Sequence, residues 1–133
     1  MYEDFEQLTV KGVRFIIVNL TRATINEAKI LKSIIEEDIT IGIRKLVVDI
    51  SQCEFIDSSF IGSLVVEQKR MKEKGGQIML IEPVKLDEDL FHVINTLRLF
   101  EINQKREKVI ESKDEFKPSL DSIKIVHHSV FQE

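Results

Sequence analysis

The chain contains one cysteine, Cys53, no tryptophan, one tyrosine, two prolines and five glycines. A lone thiol can form neither an internal disulfide nor a thiolate zinc cage, so the fold must rest on its apolar core and suits a reducing compartment. With so little Pro and Gly there is no flexible linker up to about residue 102, and nothing repeats. The 133 residues therefore read as a single domain, 1–133. Basic excess is also lacking: 19 Lys and Arg against 23 Asp and Glu give a net charge of −4, which excludes the electrostatic footprint of a nucleic-acid binder. No apolar run approaches the roughly 18 to 20 residues of a membrane span; the longest, such as Phe15 to Val18, are strand-sized. The first residues, Met1-Tyr2-Glu3-Asp4-Phe5-Glu6, are acidic and lack the basic, then apolar, then small-residue order of a signal peptide, so the expected location is cytoplasmic.

At 43% hydrophobic and 32% charged, the chain can bury a sizeable core. Val13 to Val18 is a β-branched run expected to be buried on both faces, and Leu8 and Val10 before it suggest an edge strand. The Lys11-Gly12 pair is short enough to join the two as an antiparallel hairpin. Thr24 is placed to cap a helix whose Ala28, Leu31, Ile35 and Ile39 recur at spacings of three and four, with Lys29, Lys32, Glu36 and Glu37 outside and Gly42 at its end. Lys45 to Ile50 reads as an interior strand. Ile61, Leu64, Val65, Gln68 and Met71 predict a second helix from Ser58, whose second half is dominated by the charges of Glu67, Lys69, Arg70, Lys72, Glu73 and Lys74; Lys69 to Lys74 read as a solvated end, closed by Gly75-Gly76.

Ile78 to Ile81 is a further buried strand stopped by Pro83. Asp87 to Leu97 predicts a third helix with Leu90, Phe91, Val93, Ile94 and Leu97 on its apolar face. The order β-β-α-β-α-β-α predicts an α/β fold, a mixed and mostly parallel sheet with helices packed on it. In the tail, Ser112 and Glu115 are spaced as a capping box for a short helix, and Ile123 to Val126 suggests a last edge strand.

The most informative stretch is Val47 to Leu64, where a buried strand feeds a loop that delivers Asp57-Ser58-Ser59 to a helix start. Asp and Ser are the residue types that accept from the free amides of a first helical turn, so N-capping is one reading. The other is a serine that takes a phosphate, since a helix N-terminus tolerates an anion.

With Asp49 at the end of a strand, the pair Phe55-Ile56, then Asp57-Ser58-Ser59 and Leu64, the stretch resembles the STAS domains, named for sulfate transporters and anti-sigma-factor antagonists. The Lys74-Gly75-Gly76 break and Leu97 to Ile102 are also similar, so the resemblance covers about residues 5–102 and leaves 103–133 as a C-terminal extension. It implies a STAS-like fold and a protein-binding switch. The unmodified domain would bind an anti-sigma factor that is also a serine kinase, and would be silenced by phosphorylation of the serine after the motif Asp, here Ser58, with Ser59 the alternative. A metal-dependent serine phosphatase would reverse the mark. The partner-binding face would comprise Cys53, Glu54, Asp57, Ser58, Ser59, Phe60 and Gly62. A different class is a non-switching STAS scaffold or accessory subunit of a transport or sensory complex.

Where the family usually has Gly after the two serines, this chain has Phe60. Ile61, Leu64 and Val65 already supply a sheet-facing stripe and Phe60 lies one step to its side, so its ring is expected to be exposed as a partner anchor. No catalytic role is expected: Ser58 and Ser59 lack a Gly-x-Ser-x-Gly elbow, and Gly75-Gly76 follows a helix and precedes a strand, the reverse of a phosphate-binding loop. No metal or cofactor is expected either, since His92 stands apart and His127-His128 has no supporting ligand set. Cys53, between Gln52 and Glu54 with no neighbouring cation, reads as an unreactive thiol.

Overall fold

The computed structural model describes residues 3–95, 101–103 and 124–126. β1 (Phe5–Val10) and β2 (Val13–Val18) form the expected hairpin, paired from Phe5 and Val18 to Val10 and Val13. Lys11 and Gly12 turn the chain with φ of 52° and 82°; this double positive φ matches the twist of a two-residue hairpin. β4 (Lys45–Asp49) and β6 (Gln77–Ile81) add in parallel to β2, and β7 (Glu101–Asn103) and β8 (Lys124–Val126) continue the sheet, giving the order β1-β2-β4-β6-β7-β8. Only β1 runs antiparallel to its neighbour, so the sheet is mixed and mostly parallel, as the α/β alternation predicts. The tail strand expected at 123–126 is present as β8; the helix expected from Ser112 lies outside the described residues.

Side chains alternate across the pleat. Ile16, Val18, Leu46, Val48, Ile50, Ile78 and Leu80 join the large core with the helices, while Val13, Phe15, Val47, Met79 and Ile81 cluster on the other face. α1 (Ile25–Thr40) starts at a capping box in which Thr24 N and Oγ1 donate to Glu27 Oε1 at 2.8 and 2.7 Å. These bonds hold the Glu27 carboxyl below its usual range. α1 buries Ala28, Leu31, Ile35 and Ile39 as its spacing predicts. It also buries Asp38, whose Oδ1 lies 3.6 Å from Arg14 Nη2 of β2. Burial raises the Asp38 pKa against the pull of that guanidinium.

α2 (Ser58–Glu73) and α3 (Glu88–Asn95) complete the helices. In α3, Leu90 and Ile94 are buried and Val93 is half-buried, but Phe91 is 51% exposed, contrary to its placement on the apolar face. On a 3.6-residue helix the midline of a stripe set by residues 90 and 94 leaves position 91 about 80° to one side. Leu97 lies outside the described residues. Gly76 is the most closely approached of the glycines, because a Cβ there would meet Arg44 O at 2.5 Å and Met71 Sδ at 2.6 Å.

Candidate functional site

Two strands too short for periodicity to reveal position the loop before α2. β3 (Arg22–Ala23) and β5 (Phe55–Ile56) pair in parallel as a separate two-stranded sheet. Thr21 O accepts from Glu54 N at 2.7 Å and from Phe55 N at 3.1 Å, and Ala23 O accepts from Asp57 N at 3.1 Å. The approach to α2 is thereby tied, backbone to backbone, to the approach to α1.

Asp57 then caps α2 in extended conformation, its Oδ1 accepting from Phe60 N at 2.9 Å. Asp57 is thus the N-cap, as the capping reading expects, and Ser58 and Ser59 are exposed on the first turn. The first-turn amides and the helix dipole give this end positive potential. Glu54 is exposed, its Oε2 3.5 Å from Lys85 Nζ. Beside it, the half-exposed Phe55 ring carries the Arg22 guanidinium 4.2 Å above its centroid. Gly62 is exposed one turn into α2.

Two residues assigned to the partner face are turned inward. Phe60 is 0% exposed and Cys53 1%, so neither side chain is available to a partner in this conformation, and the exposure expected for Phe60 is corrected. The reason is the stripe of α2, which runs Phe60, Leu64, Glu67 and Met71 at spacings of four, three and four, with Ile61 and Gln68 alongside. Cys53 is packed into the same core, where burial first and the charge of Asp49 second push its thiol up to about 12. That fits an unreactive thiol.

The same stripe carries a charged residue inward. Glu67 is fully buried, with the Glu36 carboxyl of α1 beside its own. Its Oε2 lies 3.6 Å from Arg70 Nε, which also lies 3.5 Å from Glu36 Oε2 of α1; Lys32 Nζ is 3.9 Å from that Glu36 atom. Burial, reinforced by Glu36 and opposed by Arg70, raises the Glu67 pKa to about 7. An i, i+4, i+7 reading anchored on Phe60 and Leu64 reaches position 67.

Between α1 and α2 lies an open groove of about 410 Å³, lined by Ile25, Lys29 and Lys32 on one side and by Ser59, Gly62 and Val66 on the other, with Glu67 along it. A smaller cleft of about 130 Å³ lies beside Glu54, Phe55 and Leu90. Among the described residues no group of His, Cys, Asp and Glu is placed to hold a metal ion, and no helix is long and apolar enough to cross a membrane. His92 is exposed and meets only the Phe91 ring among the described aromatic contacts, at 5.9 Å between centroids; His127 and His128 lie outside the described residues.

Comparison with known proteins places this geometry. The STAS domain family matches residues 24–109. Among solved structures, a Thermotoga maritima protein described as a candidate anti-sigma factor antagonist, TM1081, superposes with a TM-score of 0.66 at 24% identity, covering 81% of this chain and 92% of its own. The anti-sigma factor antagonist SpoIIAA in its unphosphorylated form also gives 0.66, at 13% identity over 83% of this chain and 97% of its own. SpoIIAA of Bacillus in its phosphorylated form gives 0.66 at 15% identity, covering 82% and 98%. No match was found among the curated proteins. The matched segment takes in α1, the loop to Asp57, α2, β6 and α3, which is most of the sheet-and-helix framework built above, and the chain is a member of the STAS domain family.

Proposed function

We propose that this STAS domain is a regulatory protein-binding module of the anti-sigma-factor antagonist type, acting in the cytoplasm and without catalysis of its own. In this reading it binds an anti-sigma factor that is also a serine kinase, is released when that kinase phosphorylates Ser58, and is reset by a serine phosphatase. The observation that carries the reading is the exposure of Ser58 on the first turn of α2, directly after the capping Asp57. Likeness of fold to an antagonist solved in both unphosphorylated and phosphorylated forms supports it.

The physical consequence of the mark follows from its position. A phosphate adds about −1.5 to −2 charge where Asp57 and the exposed Glu54 already stand. The helix start accommodates that charge, so the fold survives, whereas an acidic or closely fitted partner surface is repelled. Partner contact would fall on the exposed members of the face, Glu54, Ser58, Ser59 and Gly62, with Asp57 setting the helix start.

The test is incubation with the cognate serine kinase and ATP, followed by mass measurement. One phosphate on the wild-type chain, none on Ser58→Ala and one on Ser59→Ala is the expected result. Ser58→Asp should lose kinase binding with its melting temperature nearly unchanged. Full labelling of Ser58→Ala, or no labelling of the wild type by a kinase that binds it, would overturn the switch and leave a non-switching scaffold.

A further inference from the structure

Both helices that frame the groove contribute residues with the same spacing. α1 presents positions 25, 28, 29 and 32, and α2 presents 59, 62, 63 and 66. Each set is i, i+3, i+4, i+7, one continuous stripe about 10 Å long at 1.5 Å per residue. Two such stripes side by side form a trough into which a third helix can lay a row of side chains. The trough is apolar where it meets solvent, because Ile25 and Val66 are 52% and 47% exposed.

Gly62 supplies an independent sign of an external occupant. Its φ is not in the left-handed region, and nothing lies within 4 Å of where its Cβ would be. Neither backbone conformation nor internal packing requires glycine there. A glycine inside a helix costs roughly 1 kcal/mol relative to alanine, and here the missing side chain keeps the trough floor open midway along one wall.

Charge decides the chemistry of the occupant. The α1 wall carries Lys29 and Lys32, while the one charged residue lining the α2 wall is Glu67, which is buried against Arg70. The acidic neighbours Glu36 and Glu67 both lie against Arg70, at 3.5 and 3.6 Å, while the Lys32 side chain, 3.9 Å from Glu36, stays 50% exposed. On a chain of net charge −4 this is a locally basic, apolar strip.

We propose that the α1/α2 groove is a docking site for an amphipathic helix of a partner protein, with its apolar row over Ile25, Gly62 and Val66 and an acidic flank over Lys29 and Lys32. The groove rests on the reading that this end of the domain receives a protein, but not on phosphorylation of Ser58. It adds a contact that a switch at the helix start alone would not need.

The probe is a stapled synthetic helix with leucines on one face flanked by glutamates, and its counterpart with lysines in place of the glutamates, each titrated into the isotope-labelled full chain and followed by amide chemical shifts. The glutamate helix should shift Ile25, Lys32, Gly62 and Val66. Its affinity should fall at least tenfold in Gly62→Leu, which fills the trough while improving helix propensity, and in the Lys29→Glu/Lys32→Glu double variant. Thermal melts of both variants verify that the fold is intact. Absence of binding, equal binding of the two helices, shifts centred elsewhere, or unchanged affinity in Gly62→Leu would overturn the proposal. So would concentration-dependent self-association through the same residues, which would assign the groove to a second copy of the chain. Because no kinase or phosphate enters the titration, a failure here is distinguishable from a failure of the Ser58 switch.

Discussion

The Asp57 carboxylate accepts from the backbone amide of Phe60 at 2.9 Å while the Phe60 ring is wholly enclosed. One residue thus closes the first turn of α2 from outside and the other anchors it from inside. The exposed serines lie between these two restraints.

Replacing the ring therefore tests stability before it tests binding. Phe60→Gly should cost about 3 to 5 kcal/mol for the lost buried ring and about 1 kcal/mol more for glycine in a helix. Phe60→Leu should retain most of that. Denaturant midpoints of the two variants measure the difference, and a near-neutral Phe60→Gly would contradict the burial.

Removing the cap has a smaller and separable effect. Asp57→Ala should destabilise by about 1 kcal/mol, and Asp57→Asn, which keeps an acceptor oxygen, by a few tenths. Equal losses in the two variants would mean that the carboxylate charge, rather than the hydrogen bond to Phe60, is what matters.

Glu67 gives a prediction in pH. Its carboxyl titrates near 4.5 when unfolded and at about 7 when folded. Below 4.5 both states hold the proton; as pH rises from there to about 7 the unfolded chain ionises first, so stability declines and then levels off. The loss is bounded at about 3 kcal/mol by the size of the shift. Glu67→Gln should flatten this decline and raise the melting temperature at about pH 8, which a series of thermal melts would show. A parallel decline in the variant would place the proton elsewhere.

Two glycines should respond in opposite directions. Gly76→Ala drives a methyl into Arg44 O and Met71 Sδ and should cost roughly 1 to 3 kcal/mol as the backbone gives way. Gly62→Ala meets nothing and should stabilise by up to about 1 kcal/mol. Melting temperatures moving in the same direction would contradict this contrast.

Much of this architecture is legible in the residues. The capping box at Thr24, the stripe of α1, the Lys11-Gly12 turn and the unbroken apolar strands are local patterns, and each forms where its spacing demands. β3 and β5 are not legible, since two residues carry no periodicity and their pairing spans the chain from Arg22 to Phe55. Phe60 lies inside, against its expected exposure. The stripe of α2 was anchored on Ile61, Leu64 and Val65, but it is centred on Phe60, Leu64 and Met71, which carries position 67 inward with them. The serines are exposed where the Asp-Ser-Ser spacing puts them, whereas the groove beside Ser59 depends on how α1 and α2 lie against each other, which neither helix encodes alone.

The ties from Thr21 and Ala23 to the residues before α2 are made entirely by main-chain atoms. The separation between the first turns of α1 and α2 is therefore insensitive to which side chains occupy the rim. Under the proposed docking, substitutions at Ile25, Lys29, Ser59 or Val66 would alter which helix the rim accepts while its spacing stays constant, so selectivity could change one rim residue at a time without refolding the frame.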